Sequence, residues 1–123
     1  MTKQARNFII AMASILLLVG GGVLANHIPP IFNIKVAEWN EWRQELRVAG
    51  ICGYRCNIMI YNAGNMVQIG EAFCSNKRWF VKIPEEYLDP IPCRVYAEQL
   101  ESDTCEYEDD SMDVQNAPDD CGP

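Results

Sequence analysis

The chain has 123 residues, room for one domain, of which 49% are apolar and 22% charged. Its 17 acidic residues against 10 lysines and arginines give a formal charge of −7. That balance excludes nucleic acid as a partner, and likewise an anionic membrane surface, because both need clustered lysine and arginine.

In chain order, Lys3 and Arg6 precede an uncharged apolar run over residues 8–19, and three glycines at 20–22 then break any helix. Small residues before Ala25 complete the basic, apolar, small-residue order of a secretory signal peptide over residues 1–25, cut after Ala25. Retained, residues 8–25 would instead be a short membrane anchor. The exported domain is then residues 26–123, whose 8 cations (the 10 of the whole chain less Lys3 and Arg6) face all 17 acidic residues.

Pro29 and Pro30 keep the start of this domain irregular. Apolar–polar alternation then predicts strands over residues 31–39 (IFNIKVAEW), 44–51 (QELRVAGI), 56–62 (CNIMIYN), 66–74 (MVQIGEAFC) and 77–83 (KRWFVKI). Residues 84–92 carry Pro84, Pro90 and Pro92 and form a loop with a helical turn at 85–88. A sixth strand follows at 93–100 (CRVYAEQL), an acidic loop at 101–110, and a seventh strand at 111–116. The phase places Leu46, Val48, Ile58, Ile60, Val67, Ile69, Trp79, Val81, Val95 and Ala97 inward, with Trp79 as the large core residue.

All six cysteines lie in residues 26–123, and an even count in a small exported domain predicts a disulfide framework. Successive strands run up and down, so Cys52, Cys56, Cys74 and Cys105 fall at one pole of the sandwich. Cys93 and Cys121 fall at the other, which pairs them with each other. The first four leave three pairings open.

No catalytic arrangement is legible. The lone histidine, His27, sits beside the cleavage site, and a Ser-His-Asp or Cys-His system needs a histidine placed by the fold. No cofactor is expected. Glu106, Glu108, Asp109 and Asp110 are candidate calcium ligands, although they lack the spaced pattern that surrounds one ion, and a solvated acidic face accounts for them as well. Trp39 and Trp42, with Tyr54 and Tyr61, could form an aromatic binding face, against a reading in which Trp39 packs at the sandwich edge and Trp42 caps it. Gly53-Tyr54-Arg55, between the second and third strands, is the candidate recognition loop.

The run Ala37-x-Trp39, Leu46-x-Val48-x-Gly50, Ile58-x-Ile60-Tyr61-Asn62-Ala63, Ile69-Gly70, Trp79, Pro92-Cys93-x-Val95 and Val114-x-Asn116-Ala117-Pro118-x-x-Cys121 resembles bacterial exported immunoglobulin-like domains. Where that pattern carries glycine before the fifth-strand tryptophan, this chain has Arg78. The resemblance implies an all-β, antiparallel immunoglobulin-like sandwich of about seven strands over residues 26–123, stapled by disulfides. The role expected from it is a non-catalytic interaction or adhesion module, or an accessory subunit of an envelope or extracellular assembly. Its partner would be another exported or membrane protein. A carbohydrate-binding module with a glycan ligand, and a calcium-stabilised binding domain, are the alternatives.

Overall fold

The computed structural model describes residues 32–123. The expected signal segment, the alternative membrane anchor and His27 lie outside the described residues. Seven strands follow in order: β1 Asn33–Asn40, β2 Glu45–Ile51, β3 Asn57–Asn62, β4 Val67–Phe73, β5 Arg78–Pro84, β6 Arg94–Gln99 and β7 Glu108–Asp113. A single 3-10 turn, Glu85–Tyr87, is the one other regular element between β5 and β6. No helix among the described residues is long and apolar enough to cross a membrane.

The strands form two antiparallel sheets, ordered β1-β2-β5 and β4-β3-β6-β7. Alternation explains why they stack as a sandwich. Leu46 and Val48 of β2, Trp39 of β1 and Trp79 of β5 share one core cluster with Ile58 and Ile60 of β3 and Val95 and Ala97 of β6. Each sheet therefore contributes one apolar face, and removing both from water is the dominant favourable term. Trp79 is buried, stacks on Phe32 with ring centroids 5.8 Å apart, and donates its indole N–H to the Ile51 carbonyl at 3.1 Å. Gly50 makes room for that indole: a Cβ there would lie 2.7 Å from its nitrogen.

Two expectations are corrected. Val67 is 56% exposed. A register shift between Ile60 and Tyr61 lets Ile69 slip in as an extra residue of β4, and the inward–outward phase is lost beyond it. The last strand begins at Glu108, three residues before the expected start, so the last three residues of the expected acidic loop are strand. β6 dictates this register, because Arg94 pairs with Asp113 in both ladder and ion pair, and Glu98 stands opposite Asp109 beside tyrosine hydroxyls that absorb their charge. After β7 the chain crosses to the other sheet, where the Gln115 backbone donates to the Ala37 carbonyl and accepts from the Trp39 N–H.

The turn before Trp79 is tight without glycine. Ser75 and Arg78 exchange backbone hydrogen bonds across Asn76 and Lys77, which take φ of 58° and 65°. Both central residues at positive φ make this the two-residue primed turn that matches strand twist.

Candidate functional site

Three connections meet where β2 ends: residues 52–56, 74–77 and 100–107. Two disulfides staple them. Cys52 is bonded to Cys74 (Cα–Cα 5.9 Å) and Cys56 to Cys105 (5.8 Å). The β2–β3 connection is thus tied to both of its neighbours. The third disulfide, Cys93–Cys121, closes the opposite pole with Cα atoms 5.1 Å apart. All six cysteines are paired, which fits an oxidising extracellular or periplasmic setting.

A buried amide completes the stapled pole. Gln99, at the end of β6, accepts the Gly53 N–H on Oε1 and donates from Nε2 to the Glu106 carbonyl, both at 2.8 Å. Thr104 donates its hydroxyl to the Tyr54 carbonyl at 3.1 Å. With its backbone held this way, the apex projects two side chains. Tyr54 is 67% exposed. Arg55 takes φ of 54° and lays its guanidinium 5.5 Å from the centroid of the half-exposed Phe73 ring. A non-glycine residue kept in the left-handed region is held there by its surroundings, which here are the two cross-links. Glu101, Asp103 and Glu106 are exposed on the adjoining loop, so the pole presents one aromatic ring and one cation beside a row of carboxylates.

The remaining candidate residues are not brought together with this apex. Trp39 is only 2% exposed, packed in the core with its indole N–H donated to Glu41. Trp42 is 92% exposed in the β1–β2 turn at the opposite pole. Tyr61 lies on the outer face of the four-stranded sheet, its ring 5.8 Å from that of Tyr96. The four acidic candidates also diverge, because a strand sends successive side chains to opposite faces. Asp110 accepts the backbone N–H groups of Ile34 and Ser111, joining β7 to β1 across the sandwich edge. Asp109 accepts from Tyr96 on the outer face, and Glu106 stays in the loop. Among the described residues no group of three or more histidine, cysteine, aspartate or glutamate side chains is placed to hold a metal.

What sequence reasoning missed is a tyrosine–carboxylate network on that outer face. Glu98 accepts from Tyr61 at 2.6 Å and from Tyr107 at 2.7 Å, Asp109 accepts from Tyr96 at 2.8 Å, and the Tyr96 and Tyr107 hydroxyls lie 2.8 Å apart. Three phenolic protons serve four contacts. All three phenols ionise with more difficulty than usual. Tyr61 is pushed up to about 12, first by its hydrogen bond to Glu98 and then by burial. Burial leads for Tyr96 and Tyr107. The sequence signal was present as tyrosine at 61 and 96 in outward phase, but their cross-strand alignment needed the register.

No family model matches the chain, and neither a curated protein nor a solved structure matches it.

Proposed function

We propose that the protein is a non-catalytic exported interaction module of immunoglobulin-like type, an adhesive or accessory subunit of an envelope or extracellular assembly. Its recognition surface is the stapled pole, and its partner is another exported or membrane protein. The sheet orders 1-2-5 and 4-3-6-7, with three loops from both sheets gathered at one end, support the fold assignment. The observation that carries the function is the apex itself. Two disulfides and the Gln99 bridge immobilise a loop whose exposed side chains are a tyrosine and an arginine, residue types enriched in binding hot spots, on a backbone already ordered before contact.

A photo-crosslinking residue placed at position 54, with position 42 at the far pole as control, tests this in the intact exporting cell. Discrete protein adducts from 54 and none from 42 support the reading. Adducts from 42 alone, or glycan binding that Trp42→Ala removes, sink it.

A further inference from the structure

We infer that the two outer faces of the sandwich are complementary to one another, so that copies of this chain stack face to face, head to tail. This goes beyond the stapled pole and does not use it.

Cross-strand register makes rows on each face. On the three-stranded sheet, Val36, Ala49 and Phe80 align as an apolar row, with Val36 and Phe80 both exposed. Beside it runs a row of Glu38, Arg47 and Lys82, and on its other side Ile51 stands opposite Arg78. Lys82 lies 5.7 Å from the centroid of the Phe80 ring, so the cation and the apolar row form one surface. With Lys35 at the β1 bulge and Glu45 at the strand end, this face carries four cations against two carboxylates.

The opposite face has the converse pattern. Tyr61 and Tyr96 align as an aromatic row, and the adjacent row holds Glu71, Glu98 and Asp109 around Met59. With Asp113 and Arg94, this face carries four carboxylates against one cation.

Rows in any sheet repeat at the same two spacings, about 4.8 Å between strands and about 7 Å along them. An acidic row beside an aromatic row on one copy therefore matches a cationic row beside an apolar row on the next. Charge depletion at the centre and opposed charges alongside are what a specific protein contact requires. The faces lie on opposite sides of the sandwich, so the contact is heterologous. Each added copy covers one face and presents a fresh one, and the assembly grows rather than closing as a dimer.

Sedimentation velocity on the protein purified as exported tests the inference. The average mass should rise with concentration at about 0.15 M salt and fall back to the monomer at about 1 M, where charge is screened within about 3 Å. Arg47→Gln/Lys82→Gln should weaken association about tenfold or more, and so should Glu71→Gln/Asp109→Asn, whose asparagine keeps an acceptor for Tyr96. Mixed one to one, these two variants keep one complementary pair of faces and should form a dimer and nothing larger. Unchanged near-UV circular dichroism verifies that each is folded, and Tyr54→Ala should stack as the parent does. A parent that stays monomeric at all concentrations, neutralised variants that still stack, or a mixture that stays monomeric overturns the inference.

Discussion

Lys77 occupies the second central position of the Asn76–Lys77 turn at φ of 65°, a region where a side chain crowds its own backbone. Lys77→Gly converts the pair to Asn-Gly, the sequence this turn favours, and should stabilise the fold by about 0.5–1 kcal/mol in urea titration. The reverse holds at Gln99. Gln99→Leu keeps the volume but leaves the Gly53 N–H and Glu106 carbonyl unpartnered in a buried site, and should cost about 2–4 kcal/mol by the same titration. The two positions differ in legibility. Ser75-Asn76 is the gap between the strands expected at 66–74 and 77–83, so the reversal was legible although Lys77 was assigned to the strand, whereas Gln99 sat in an ordinary strand pattern. Its partners are 46 and 7 residues away in opposite directions, and nothing local marks an amide that spans them.

Among the elements, the first six strands were readable because each has an apolar face of period two. β7 was expected but placed three residues late, since EDDSMD has no such face, and its place is set by what stands opposite on β6. The consequence for calcium is direct. Glu108 and Asp110 project to one face of β7 and Asp109 to the other, so added calcium should leave the melting temperature unchanged. A rise that a chelator reverses would contradict this placement. The same sheet sets the alkaline limit of stability. The folded state holds its phenolic protons more tightly than the unfolded chain, with Tyr61 at about 12 against an ordinary 10. Stability contributed by Tyr61 is therefore complete below about pH 10 and is lost as pH rises through about 12. Denaturant titrations across that window should show falling stability, and Tyr61→Phe should flatten the fall.

For the molecule as a whole, alternation of strand direction sorts six cysteines between two poles, but it carries no lateral information. Which of four neighbours bond depends on which loops lie side by side, and that follows from the sheet order β4-β3-β6-β7. Cys52–Cys74 joins the two sheets, and Cys56–Cys105 joins the first and last connections of the pole. The latter closes the longer loop, 49 residues, and Cys56→Ser/Cys105→Ser should cost about 3–4 kcal/mol in equilibrium unfolding. The apex between these staples also bears on durability against proteases. The bond between Tyr54 and Arg55 joins two exposed residues of this pole, yet a protease that cuts it releases nothing. The amino-terminal piece keeps Cys52, still bonded to Cys74, and the carboxy-terminal piece keeps Cys56, still bonded to Cys105. A nicked molecule would run as one species until reduced, carrying its β-sheets intact with the apex opened, so digestion would open this loop long before it dismantled the domain.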